Sequence, residues 1–187
     1  MLKPGTLAER FVTYWEEMDR CRGQKTYWAL LHMTVCLPDI CAALESHNGE
    51  SRGDLYVAWC DRHLPDPYLT GAERWRMRCK VLHQGRATTD QAGRYTGFSF
   101  GQPAANGYED HGRVDGAVLS VDVGRLAAEV RAGVERWIQE VEGNPGAAAA
   151  SYTERNLASL VRVAQVLVPV AAPTGGPAAY AVVSKTN

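Results

Sequence analysis

Apolar residues recur at helical spacing along most of this chain. Leu7, Phe11, Tyr14, Trp15 and Met18 share a stripe over residues 6–22, and Thr6 with Glu9 has the spacing of a capping box, which predicts a first helix there. Residues 24–46 are more apolar still, with Tyr27, Leu30, Leu31, Thr34, Val35, Cys41 and Leu44 on one broad face. Pro38 interrupts that face; its missing N–H and its ring predict a kink or a break. Residues 47–53 are a loop by composition. A short helix is expected over 54–64, carrying Leu55, Val57, Ala58 and Trp59, with Pro65 and Pro67 ending it. Thr70 and Glu73 repeat the capping-box spacing and open a helix that carries Trp75, Cys79 and Leu82 and stops at Gly85.

The period then changes. Residues 95–100 and 117–121 alternate as strands do, and the polar, Gly-rich segment 101–116 between them reads as a long connection in a two-stranded antiparallel hairpin. Asp122 caps a helix over 123–142, whose buried face is marked by Leu126, Val130, Val134, Trp137, Ile138 and Val141. Gly143-Asn144-Pro145-Gly146 is a stop, and Ser151 with Glu154 predicts a last helix reaching about Val168. The fold class expected is mainly α: a bundle of roughly four to five core helices with an inserted hairpin near 94–122, forming a single domain over 1–170. Residues 171–187 read as an extended or disordered tail.

Composition narrows the classes. The chain has 187 residues, enough for one domain with a real core, and its formal net charge of −1 excludes nucleic-acid attraction by the molecule as a whole. Five cysteines, Cys21, Cys36, Cys41, Cys60 and Cys79, form no C-x-x-C and lie mostly in apolar helical patterns, as reduced thiols in a cytoplasmic protein would. No signal peptide is visible at residues 1–10, and no run of about 18 apolar residues predicts a membrane span.

One locality stands apart. Arg78 and His83 lie near the end of the helix that Gly85 stops, and Arg74, Arg76, Lys80, Arg86 and Arg94 surround them, against the single acid Asp90. Histidine can take or give a proton near neutral pH, and arginine can hold a phosphate through a fork of N–H donors. Both are needed to cleave RNA by its own 2′-hydroxyl: a base for the hydroxyl proton and a cation for the crowded phosphorane. On a regular helix the two residues are about 140° apart. That spacing predicts fraying before His83, a closer partner in Arg76, or a site completed by another molecule. Against the chemical reading, an arginine-rich helix is often a solvated face, and a histidine suits a helix C-terminus through its charge alone.

With Arg78, four intervening residues, His83 and then Gly85, the segment resembles the HEPN superfamily of helical proteins. It departs from the family pattern at Cys79, where a polar residue usually follows the arginine. The resemblance covers the motif and, more loosely, the helical run from about residue 6 to 142. It implies a HEPN-like bundle and a metal-independent endoribonuclease that uses no cofactor, of a kind common among toxins and phage-defence effectors. Arg78 and His83 would be catalytic, and Arg76, Lys80 and Arg86 would hold the RNA backbone. It also implies a homodimer with its two motifs face to face, and allows an antitoxin or regulatory protein as partner. Some members of the family are non-catalytic modules that bind RNA or protein.

Other constellations are plainer. Asp39 and Glu45 flank Pro38 and could orient the motif from a neighbouring helix, or be a solvated pair at a helix end. His32 with Cys36, and Cys60 with His63, have helical spacing for zinc but no second close pair, so buried core is the expectation. His111 falls in the long connection and reads as a surface histidine. The five tryptophans, Trp15, Trp28, Trp59, Trp75 and Trp137, read as core or dimer-interface residues, with base stacking open to any one of them.

Overall fold

The computed structural model describes residues 6–88, 93–102, 110–160, 167–170 and 179–182. Among these, the chain is mainly helical, with α1 (Leu7–Gly23), α2 (Tyr27–Glu45), α3 (Gly53–His63), α4 (Gly71–Gln84), α5 (Val123–Gly143) and α6 (Ala148–Leu157). Local sequence sets half of the helix starts, those of α1, α4 and α5. Thr6 and Glu9, then Thr70 and Glu73, form the capping boxes that their spacing predicts, and the Asp122 side chain accepts from the Arg125 N–H at 2.8 Å.

Helix α2 is the hub, packing against all five other helices. Leu30, Leu31, Leu37 and Cys41 are all within 1% of complete burial, and they meet Phe11, Trp59 and Trp137 in the core. By length and composition alone α2 could cross a membrane, which apolar runs in the sequence did not suggest; half of it is buried inside the fold. Pro38 does not break it: the helix runs through to Glu45. Its last carbonyls are satisfied from outside, since the Asn156 side chain of α6 donates to Leu44 O at 3.0 Å and Ser46 O at 2.7 Å.

Contacts fix the helix directions. Tyr56, early in α3, donates to Val35 O, while Arg62, late in α3, pairs with Glu45, so α3 runs parallel to α2. At the start of α4, Gly71 lies against Asp61 and Val57, and Trp75, a turn further on, packs on Gly53 and the Tyr56 ring. Helix α4 therefore runs back along α3 and antiparallel to α2.

The strands differ from the expected hairpin. β1 (Gly97–Gly101) pairs with β3 (Val118–Asp122) in parallel, and β2 (Val114–Asp115) is the antiparallel partner of β3, giving the order β1-β3-β2. Alternation identifies a strand but not its direction. The long connection lets the chain return to the same end, and Gly116, at φ +60°, makes the tight turn that joins β2 to β3.

The end of the chain differs too. Helix α6 starts at Ala148, directly after the predicted stop, because an alanine run needs no cap to enter a helix; Ser151 lies inside it and forms no capping box. It ends at Leu157, and β4 (Leu167–Val170), which begins at the end of the expected helix near Val168, pairs antiparallel with β5 (Ala179–Val182) inside the expected tail. The remainder of that tail lies outside the described residues.

A Cβ at Gly71 would sit 2.4 Å from Val57 O, so the entry to α4 depends on having no side chain there. Gly71→Ala is expected to destabilise the fold by about 1–3 kcal/mol, read from the urea midpoint at constant m-value. His63 gives a pH effect. It is 7% exposed and packed on Trp59, and burial pushes its pKa below the ordinary value against the pull of Glu140. The unfolded chain takes up the proton near about pH 6.5 while the folded one resists it. His63 therefore adds stability above that pH and removes it as pH falls through the folded pKa. His63→Phe should lose less stability than wild type on acidification from neutral pH, measured by denaturant unfolding at each pH.

Candidate active site

The Arg78 side chain lies where α4 crosses α2, with 18% of its surface exposed. Its Nε donates to Asp39 Oδ2 at 2.5 Å, and its Nη1 to His83 Nε2 at 2.7 Å. The guanidinium also stacks 5.0 Å above the Trp75 ring. Asp39 is held in turn by the Ser51 hydroxyl, which donates to its other oxygen at 2.9 Å. One cation is thus fixed at its edge by a carboxylate, on its face by an indole, and at a terminal nitrogen by an imidazole.

The 140° on the helical wheel is not an obstacle. Helix α4 is regular through Gln84, with no fraying before His83. The long arginine stem spans the turn and meets the ring from the same chain, so neither Arg76 nor a second molecule is needed to bring the two groups together. After His83 the chain leaves by a C-cap in which Gly85 is left-handed (φ +59°) and the Arg86 N–H reaches back to Lys80 O. Phe98 N–H then donates to Ala87 O at 2.7 Å, tying the exit of the motif helix to β1.

Arginine has no acceptor, so the contact with His83 requires a lone pair on Nε2. The ring is then neutral, with its proton on Nδ1. For Arg78, burial works against the charge, but the Asp39 carboxylate beside it, with a smaller contribution from the Cys79 thiol, outweighs that and raises its pKa. Cys36 of α2 is part of the same surface: burial, and then the charge of Asp39, push its thiol pKa up, while Arg78 pulls it down.

The other expected site residues divide. Asp39 is at the site, bonded to the motif arginine. Glu45 is not: its oxygens accept from Trp137 Nε1 and Arg62 Nη2, both at 2.7 Å, binding α5 and α3 to the end of α2. Cys79 is partly buried beside Arg78. Lys80 is 8% exposed, and its Nζ donates to Gln84 Oε1 at 3.4 Å. Arg76 lies over Gly93, where any Cβ would collide with its guanidinium. Arg86 is exposed at the helix exit. Arg74 pairs with Asp66, and Arg94 with Glu73. The basic stretch is therefore not one open cationic face; much of it is turned inward or matched with acids. Ser51 carried no sequence signal, whereas Trp75, one turn before Arg78, could have been read from its spacing.

A second polar cluster lies elsewhere. A cleft of about 360 Å³, lined by residues including Asp66, Arg74, His111, Arg125, Glu129 and Arg136, does not include the Arg78–His83 pair. Asp66, His111 and Glu129 each bring one donor atom within 4.8 Å of the others. His111 is not a surface residue, since 3% of its side chain is exposed. Its Nδ1 accepts from Asp122 N–H at 3.2 Å, so in the neutral ring Nε2 carries the proton and has no lone pair for a metal. Arg74 and Arg125 already neutralise the two carboxylates. Among the described residues neither His32–Cys36 nor Cys60–His63 gains a third donor.

The hydrogen bond from Arg78 sets the His83 tautomer. Nitrogen-resolved NMR at alkaline pH should find His83 in the Nδ1–H form, and Arg78→Ala should return the ring to the usual predominance of Nε2–H. The same tautomer in both proteins would rule out the contact as its cause. No family profile matches the chain, and no curated protein or solved structure is detectably similar to it.

Proposed function

We propose that this chain is a HEPN-like, metal-independent endoribonuclease. The observation that carries the reading is the 2.7 Å contact between Arg78 and a neutral His83, with Arg78 anchored on Asp39. A cation and a base that touch each other can serve one phosphodiester. A phosphate oxygen entering the site takes over the Nη1 donor of Arg78 and releases the lone pair of His83 Nε2. That nitrogen accepts the 2′-hydroxyl proton as the 2′-oxygen attacks phosphorus. The bond from phosphorus to the 5′-oxygen breaks, the leaving oxygen takes a proton from water, to which His83 then returns the one it accepted, and a 2′,3′-cyclic phosphate remains. Arg78 offsets the charge that develops on the phosphorane, the usual role of an oriented donor at a charged transition state. Asp39 is a positioning residue that acts through Arg78.

The biological setting that goes with this reading is a cytoplasmic toxin or phage-defence effector, working as a homodimer and restrained by an antitoxin or regulatory protein. A second reading is supported by a specific feature: Cys79 stands where the family pattern has a polar residue, and the base is closed off by Arg78 in the same chain. On that reading the chain is a non-catalytic module that binds RNA or protein.

In EDTA, the wild-type protein should cleave single-stranded RNA. His83→Ala should lower the rate by about 100-fold or more, and Asp39→Asn by about 10-fold or more, without change in circular dichroism. Full activity of His83→Ala, or strict dependence on a divalent cation, would exclude the mechanism. Salt-sensitive RNA binding with no cleavage would select the second reading.

A further inference from the structure

Trp28, at the start of α2, is 58% exposed, whereas Trp59 and Trp137 are completely buried. Its ring is nevertheless held in place. His32, one turn on, packs against it edge to face at 4.5 Å between centroids. The His32 ring is oriented by a hydrogen bond from Nδ1 to Trp28 O at 2.8 Å, which leaves the Nε2 lone pair unassigned to the helix. An exposed aromatic face beside a fixed acceptor is an arrangement for stacking and reading a planar, hydrogen-bonding ring.

Its location connects it to the site. On α2, Trp28, His32, Cys36 and Asp39 fall within an arc of about 80°. Asp39 holds Arg78, and Cys36 is within the electrostatic reach of both. Because α4 runs antiparallel to α2, the chain from Arg78 to His83 heads toward the end of α2 that carries Trp28. The indole lies about 16 Å along α2 from Asp39. That separation is one an extended single strand covers with a few nucleotides, and every base offers a π-face to an aromatic platform.

We propose that Trp28 and His32 form a nucleobase subsite, in which a base of single-stranded RNA lying beyond the scissile phosphate stacks on Trp28 and donates an exocyclic N–H to His32 Nε2. This subsite rests on RNA being the substrate of the Arg78–His83 centre.

The test is steady-state cleavage, in EDTA, of a fluorescent single-stranded oligoribonucleotide of mixed sequence by the full chain and its Trp28→Ala and Trp28→Phe variants. Equilibrium binding and tryptophan emission are measured alongside. Loss of one base stack predicts a KM higher by roughly 5- to 100-fold for Trp28→Ala with kcat little changed, and Trp28→Phe should restore most of it. RNA should quench the emission of wild type more than that of Trp28→Phe. An unchanged KM for Trp28→Ala overturns the subsite while leaving the nuclease reading intact. So does a KM loss that tracks dissociation of a wild-type oligomer in sedimentation, because Trp28 is then a protein contact. If wild type binds RNA without cutting it, and Trp28→Ala weakens that binding, the catalytic reading fails and the subsite stands. If no form of the chain binds RNA, both fail.

Discussion

Helix α2 is too apolar to be left in water, and the rest of the fold follows from enclosing it. Leu30, Leu31, Leu37, Cys41 and Leu44 form one buried arc of about 140°, wider than a single partner helix covers, and five helices close around it. Each of the few polar groups on α2 then needs a partner from a surrounding element. Glu45 takes the Trp137 indole and Arg62, the carbonyls at the helix end take Asn156, and Asp39 takes Arg78 and Ser51. An unpaired carboxylate at any of these places would be costly, which makes the pairings strong determinants of how the helices are arranged.

That logic separates what was legible in the sequence from what was not. Capping boxes at Thr6 and Thr70, the cap at Asp122 and the left-handed exit at Gly85 act over a few residues, and their signatures stand next to one another in the chain. The core faces of α1 and α5 were equally plain from period. Of the kink or break expected at Pro38 the break does not occur, because α2 is held by burial, and tertiary packing carries a helix through one missing hydrogen bond. The direction of β1 was misread because pairing is a property of the whole connection. The expected last helix gave way after Leu157, where periodicity alone set no end.

The site shows the same division. Arg78 and His83 were visible as a pair, yet their geometry was judged from backbone angle alone, which ignores the reach of a guanidinium. Asp39, separated from Arg78 by 39 positions, could be placed near the motif but not preferred over Glu45. Only the packing of α2 decides between them. The abundance of arginine and lysine near the motif was a poorer guide than it looked, because Arg74 and Arg94 balance buried acids and hold the entry to α4. Charge counted along a helix says nothing about which side faces solvent.

The two oxygens of Asp39 answer to different parts of the molecule. One receives the guanidinium of Arg78, and the other receives a hydroxyl from Ser51 in the link between α2 and α3. A single carboxylate therefore reports the conformation of that link to the cation at the site. Any event that lifts the link from α2 withdraws one hydrogen bond from the carboxylate and leaves its charge more fully available to Arg78. The link between two core helices is thus joined to the electrostatics of the centre through one carboxylate.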